Sequence, residues 1–382
     1  MEKPIIFELG SQDLEAVKAK YHIDRIVDAY KEQLEDIFLI QNPRYRFSME
    51  YREDLEAFIQ EHARGKSLQA CGKWVYFPWQ RMLVHYLDDD LHQEARTARN
   101  KNLITKEEQD RFYGFSVGVA GLSVGSHGAI TTALMGGSKA MKLADPDVIS
   151  PSNLNRMRFD FTQMGVNKAE LVAQYLYQLN PYAELSVYSN GIDKNNLGEF
   201  LDGLDILIEE LDDIEMKVML REEAKKRGIP VVMATDNGDN IILDIERFDL
   251  HPDLPVLYGC LDGIDLKELK ASPSKMFEAM AKIIDVSLVP PRVLESIPEV
   301  GKTIYSWPQL ASAATLSGAL LAYVIRRIAL GENVREGKFE VNLDAVVDLD
   351  YEGNAHVRRN TMEKFLDAVG LTQHKHLWIK EP

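Results

Sequence analysis

The sequence predicts an α/β fold: a doubly wound, mostly parallel sheet that continues into an antiparallel half, preceded by a small α+β region. Three stretches carry that prediction. Residues 115–120 read as a buried strand, 121–126 as a small-residue turn opening a helix, and the next strand ends at Asp145. Strand and helix patterns then alternate as far as Ala234, the rhythm of parallel strands joined by crossover helices. Residues 241–248 follow the turn 235–240 directly, and their length and β-branching suggest a strand of an antiparallel half.

A length of 382 residues suits one large domain or two, and 45% hydrophobic residues supply material for a core. Lys plus Arg number 44 against 60 for Asp plus Glu, a formal net charge of -16. Such a surface repels nucleic acid and anionic membranes, and no basic patch of useful length offsets it, so neither is expected as a partner. The two cysteines, Cys71 and Cys260, stand apart and cannot supply the four ligands of a structural zinc site. The amino terminus lacks the basic start and apolar run of a signal peptide, which makes the protein cytoplasmic by expectation. Residues 310–325 carry no charge, but the run is shorter than the ~20 residues a membrane span needs and contains Ser312, Thr315 and Ser317. It reads as a buried helix.

In chain order, apolar positions from Ser11 to Phe38 (Leu14, Val17, Ile23, Ile26, Val27, Tyr30, Leu34, Ile37) fit a helical repeat, and 51–62 fits another. Residues 73–79 and 81–87 read as two short strands meeting at a turn by Pro78, their aromatic side chains serving a core or an interface. A basic segment, Arg96-Thr97-Ala98-Arg99-Asn100, leads towards the first strand of the large sheet. In the turn after that strand, Gly121, Ser123, Gly125 and Ser126 leave backbone N–H groups uncovered where a helix begins, a place suited to a phosphate. The glycine-x-glycine-x-x-glycine pattern is incomplete, since Ala120-Gly121-Leu122-Ser123-Val124-Gly125 keeps only its last glycine; a tight turn without a ligand would look the same. Asp145-Pro146-Asp147 stands about 20 to 25 residues further on, where such folds set an acid against a ribose. Asn153, Arg156 and Lys168 follow within the same βαβ unit. An acid for ribose beside cations for phosphates fits a nucleoside triphosphate better than a dinucleotide.

Beyond Lys168 a helix through Leu171, Val172, Tyr175, Leu176 and Leu179 stops at Asn180-Pro181. Residues 184–188 read as a strand, 194–201 as a short helix, and 205–213 as a buried strand emerging into acids at the end that faces ligands in doubly wound sheets. There Asp212 or Asp213 would serve as the cap of the helix 216–227. A strand at 230–234 precedes the hairpin already named. Residues 256–260 are expected as another strand, 262–295 as charged helical segments broken at Pro290-Pro291, 308–330 as the buried helix, 338–347 as a late strand, and 361–369 as a helix in the tail.

Asp145-x-Asp147, then Ser152-Asn153-Leu154-Asn155-Arg156, then Gly165-x-x-Lys168-Ala169 and Leu179-Asn180-Pro181 together resemble the ubiquitin-activating-enzyme-like adenylating family that includes ThiF, MoeB and HesA. The resemblance implies a Rossmann-like, ThiF-type adenylation domain over 96–347, an N-terminal α+β region over 1–95 and a C-terminal tail over 348–382. It implies attack of a substrate carboxylate on the α-phosphate of ATP, giving an acyl-adenylate and pyrophosphate. Two anions meet in that step, so the site has to supply cations and hold the reactants in line. By the same resemblance Arg156 and Lys168 bind the β- and γ-phosphates, Asp212 holds Mg2+, and Asp145, with Asp147 beside it, serves the ribose. Asn153 binds phosphate or holds the loop. Arg99, the second arginine of an Arg-x-x-Arg-Asn motif, reaches across a homodimer to the partner's triphosphate.

The implied substrate is the C-terminal carboxylate of a ubiquitin-like or sulfur-carrier protein, or of a peptide, its tail held by the antiparallel half. Cys260 lies in an apolar setting, Tyr258-Gly259-Cys260-Leu261, with no adjacent base. It reads as a buried structural cysteine, so the adenylate would pass to an external thiol, amine or sulfur donor. Two other readings stay open. A NAD-dependent oxidoreductase would use the glycine turn and strand-end acid but leaves Arg156, Lys168 and Asp212 without a task. The incomplete turn would suit a non-catalytic nucleotide-binding scaffold.

Overall fold

The computed structural model describes residues 1–8, 14–48, 50–269 and 272–379. The chain forms two units: Met1–Gly114 with Ala133–Lys139 and Ala173–Glu184, and Phe115–Thr132 with Ala140–Val172 and Leu185–Pro382.

In the first unit β1 (Ile5–Phe7), β2 (Arg25–Val27), β3 (Lys73–Phe77) and β4 (Met82–Tyr86) form a four-stranded sheet in the order β1-β3-β4-β2. The hairpin expected around Pro78 is present, β3 and β4 pairing antiparallel with Val75 opposite Val84. Its aromatic residues are core: Trp74, Tyr76 and Phe77 are buried, and the His85 ring is stacked between Tyr30 at 4.1 Å and Trp74 at 4.3 Å. The helical repeat from Ser11 to Phe38 is not one helix. Ser11 lies outside the described residues, and helices Leu14–Lys20 and Tyr30–Gln41 flank β2. Ile26 and Val27, β-branched or stiff at χ1, pair in parallel with Leu83 and Val84, and that pairing overrides the helical period. Helices Arg52–Ala63, Asp89–Thr97 and Lys106–Tyr113 complete the unit, the last opened by a capping box between Thr105 and Glu108.

The second unit is built on β5 (Val117–Ala120), β6 (Ala140–Ala144), β7 (Glu184–Tyr188), β8 (Ile206–Glu209), β9 (Val231–Asn237), β10 (Asn240–Glu246) and β11 (Gly337–Val341). They form one sheet in the order β11-β10-β9-β8-β5-β6-β7. β5 runs parallel to β6 and β8, and β8 to β9; β10 is antiparallel to β9 and to β11. This is the mostly parallel sheet with an antiparallel half that the sequence predicts. Every residue of β5, β8 and β10 is buried, as in sheets covered on both faces. From β5 the chain moves outward through β6 and β7, then returns to β8 on the other side. The reversal leaves a crevice at the carboxyl ends of β5 and β8.

Helix Ala311–Ala329 is the buried helix expected near residue 310, with Ala313, Ala314, Ser317, Gly318 and Leu321 turned inward against β9 and β10. Among the described residues no helix is long and apolar enough to cross a membrane. On helix Ile214–Lys226, Lys217 and Arg221 stand one turn apart and face a buried pair of acids. Lys217 Nζ lies 2.9 Å from Glu209 Oε2; Arg221 pairs with Glu209 and places Nε 2.6 Å from Glu246 Oε2. All four side chains are buried, and their charges compensate one another.

Three expectations are corrected here. Residues Val256–Gly259 form a tight 3-10 turn rather than a strand, with Leu257 and Tyr258 at φ 52° and 54°. Tertiary bonds hold it: the Leu257 N–H donates to the buried Glu246 carboxylate at 2.6 Å, and the Tyr258 hydroxyl donates to the Ile245 carbonyl. The late strand ends at Val341, because Asn342 Oδ1 takes the Ala345 N–H at 2.8 Å and starts the short helix Asp344–Val347. The tail helix begins earlier, as Ala355–Ala368, and buries Met362, Phe365 and Leu366 against Ala281, Val286 and Leu294. Within 262–295 the described helices are Leu266–Leu269, Pro273–Ile284 and Pro291–Ser296, while 270 and 271 lie outside the described residues.

Candidate functional site

The site is assembled on the loops beyond β5, β6 and β8. Gly121 follows β5 at φ 88°, and a Cβ there would overlap the Glu210 carbonyl oxygen, so two chain segments meet where only glycine fits. The Gly121 N–H donates to the Ala144 carbonyl at 2.9 Å and the Leu122 N–H to Asp145 Oδ2 at 2.7 Å. For the N–H groups of Ser123, Val124 and Gly125 there is no acceptor among the described residues. Gly125 opens helix Gly125–Leu134, so these donors crown a helix amino terminus, an arrangement suited to an anion.

Asp145, just past β6, is buried and also accepts the Asp147 N–H at 2.9 Å. Burial pushes its carboxyl up, with the Lys168 charge pulling the other way. Lys168, buried at the start of helix Lys168–Leu179, sets Nζ 2.9 Å from Asp147 Oδ2 and 3.9 Å from Asp145 Oδ1. Asn167 holds this corner. Its Oδ1 accepts the Ala169 and Glu170 N–H groups at 2.9 and 3.2 Å, capping the helix, while Nδ2 donates to the carbonyls of Asp145, Asp147 and Ser189.

Asn153 accepts the Ser150 N–H at 3.0 Å and shapes the loop that carries Arg156. Arg156 Nε lies 3.3 Å from Ser123 Oγ, which brings the guanidinium onto the phosphate-type turn, and its NH1 is held by the Ser152 carbonyl and Asn155 Oδ1. Burial lowers the Arg156 pKa, and the charges of Asp236 and Asp212 act on it in the opposite sense. Of the two acids after β8, Asp213 caps helix Ile214–Lys226 through the Met216 N–H at 3.0 Å, and Asp212 is left exposed at the crevice.

Acids the sequence reading passed over line the far side. Asp236, at the end of β9, accepts from Ser317 Oγ and Gln309 Nε2, both at 3.3 Å. Burial pushes its carboxyl up to about 6. Glu210 accepts the Ala234 N–H at 2.7 Å and is pushed up to about 8, again chiefly by burial. Gln309 is tied in turn to the Arg156 loop, its carbonyl accepting from Asn155 Nδ2 at 2.7 Å. Asp236 falls in 235–240, where an Asn-Gly turn signal hid the last residues of a strand. Glu210 and Asn167 lay inside motifs noticed for their neighbours.

Gly121, Ser123, Gly125, Asp145, Asp147, Asn153, Arg156, Lys168 and Asp212 all belong to the second unit, on the loops named above. Arg99 belongs to the first. There Arg96 and Asn100 are structural: Arg96 donates to Gln93 Oε1 at 2.6 Å and to the Ala133 carbonyl at 2.8 Å, and Asn100 Nδ2 to Gln109 Oε1 at 2.9 Å. Arg99 between them is exposed. Burial raises the Cys260 thiol pKa, in keeping with a structural cysteine.

Residues 96–240 match the model of the ThiF family. An uncharacterised Mycobacterium tuberculosis protein, MT1398, is 38% identical over 282 residues, covering 74% of this chain and 39% of that protein. The SAMP-activating enzyme E1 of Haloferax volcanii is 28% identical over 156 residues, 41% of this chain and 56% of that enzyme. The tRNA threonylcarbamoyladenosine dehydratase of Bacillus subtilis is 30% identical over 171 residues, 42% of this chain and 66% of that enzyme. The chain thus spans between 39% and 66% of the length of these relatives. The loops around Arg156 and Lys168 fall inside that match, so it is residues 96–240 of the chain that carry the ThiF family's signature.

Proposed function

We propose that this protein activates a carboxylate by ATP-dependent adenylation, as a cytoplasmic homodimer acting on the C-terminus of a ubiquitin-like or sulfur-carrier protein or of a peptide. One observation supports the reading above the others: Arg156 reaches the Ser123 hydroxyl on the turn whose N–H groups are uncovered, while Lys168 and Asp145 close the same crevice from β6. The turn and Arg156 would hold the triphosphate, Lys168 would exchange its Asp147 partner for a phosphate oxygen, and Asp145 would accept from the ribose hydroxyls. With those charges fixed before the substrate arrives, a carboxylate oxygen can approach the α-phosphate in line and pyrophosphate can leave against Arg156. Arg99, exposed in the first unit, would complete the partner protomer's site.

Mg2+ fits this donor set in a limited way. Among the described residues no group of three or more His, Cys, Asp or Glu could hold a metal ion, so the ion would share Asp212 with triphosphate oxygens and water. The relatives named as an activating enzyme E1 and, in Saccharomyces cerevisiae, as an adenylyltransferase and sulfurtransferase support the reaction class. ATP–pyrophosphate exchange with candidate carboxylate partners is the test. Exchange is expected with the native chain and should be lost in Arg156→Ala and Lys168→Ala; exchange undiminished in both would refute the site. Preference for NAD over ATP in direct binding would refute the reaction class.

A further inference from the structure

We propose that His127 is a positioning residue for Arg156: its Nε2–H, given to the Arg156 main-chain carbonyl, fixes where the guanidinium meets the phosphate-type turn. The inference rests on the nucleotide reading of that turn. His127 sits in the first turn of helix Gly125–Leu134, and its Nε2 lies 2.7 Å from the Arg156 carbonyl oxygen, 29 residues along the chain. A carbonyl only accepts, so the ring proton is on Nε2 and Nδ1 carries a lone pair. That Nδ1 is buried with no partner among the described residues. Leaving a buried acceptor unpaired is unfavourable, and packing alone would be served as well by leucine.

The His127 main chain and Cβ are also covered closely from behind. A Cβ on Gly318 of helix Ala311–Ala329 would lie 2.6 Å from the His127 Cβ, so that helix approaches this closely only because residue 318 has no side chain. Burial lowers the imidazole pKa, which keeps the ring neutral and the tautomer fixed. One helix end therefore grips Arg156 twice, at its carbonyl through His127 and at its Nε through Ser123. Motion of the loop relative to the turn is opposed at both contacts.

Calorimetric ATP binding to the full chain tests this, with melting temperatures recorded for every variant. His127→Leu should raise the ATP Kd about tenfold, the worth of one good hydrogen bond. His127→Gln, whose amide nitrogen reaches about as far as the imidazole Nε2, should stay within about threefold of the native value. Combined with Arg156→Ala, His127→Leu should add nothing, since it acts through the residue already removed. Equal losses in both backgrounds, or failure of His127→Gln to bind ATP while melting like the native chain, would overturn the proposal. If His127→Leu does not fold, the comparison of His127→Gln with the shorter His127→Asn decides: equal affinities overturn it and weaker binding by His127→Asn supports it. A native chain that binds no ATP would sink the nucleotide reading, and this proposal with it.

Discussion

Asp236→Asn gives a direct measure of how the crevice treats charge. The carboxyl, ordinarily at 3.8, is raised to about 6, chiefly by burial, so the folded state holds the proton more tightly than the unfolded chain. Its contribution is therefore fully present below the unfolded value and is lost as pH rises through about 6. A shift of about two pKa units corresponds to about 3 kcal/mol at full ionisation, of which roughly 2 kcal/mol is lost between about pH 4.5 and 7.5. Asparagine cannot ionise; its oxygen still accepts from Ser317, and its amide N–H is met once the Gln309 side chain turns its own amide oxygen inward. Urea unfolding of both proteins at the two pH values should show the variant gaining on the native chain by about 2 kcal/mol across the window. A stability difference that stays flat with pH would refute the claim that Asp236 is held in a poorly solvated crevice.

Gly121→Ala should destabilise the chain by about 1–3 kcal/mol and weaken ATP binding, because it forces a positive φ and the Glu210 carbonyl apart from the turn; denaturant midpoints and calorimetry read both. Arg221→Met leaves Glu209 and Glu246 undercompensated in the core and should cost about 3–5 kcal/mol, with Glu246→Gln added on top costing less than its effect alone. Asn167→Ala removes a helix cap and the ties to three carbonyls at once, and should cost about 2 kcal/mol together with a measurable loss of ATP affinity. Thr105→Ala, a plain capping loss in the first unit, should cost about 1 kcal/mol in the same urea assay and leave ATP affinity unchanged.

What could be read from the sequence was what repeats or stays local. The strand, small-residue turn and helix from Phe115, the strand-end acid Asp145 and the loop cations Arg156 and Lys168 lie within one βαβ unit, so their spacing alone placed them on one side of a sheet. The buried helix Ala311–Ala329 was legible because charge is excluded from sixteen consecutive positions, residues 310–325, most of which lie within it. Long-range partners decided the rest. Ile26 and Val27 leave the helical repeat because β4 offers them a ladder, and Leu257 and Tyr258 leave the strand pattern because Glu246 and Ile245 hold them in a turn. Asp236 and Glu210 join the site through β9, with Gln309 tying Asp236 to the Arg156 loop, and His127 joins it through a bond to Arg156, 29 residues along the chain; no local pattern encodes these contacts.

The bridge from Asn155 to the Gln309 carbonyl, and from the Gln309 amide to Asp236, also bears on how the protein is made. These bonds join parts of the chain separated by 154 and 73 positions, so loop closure has to precede them. During synthesis the βαβ unit emerges well before Gln309, and its crevice stands open until translation has passed Gln309 and the helix from Ala311 can dock. An arrested nascent chain cut before that point should carry the Arg156 loop yet lack one wall of the crevice.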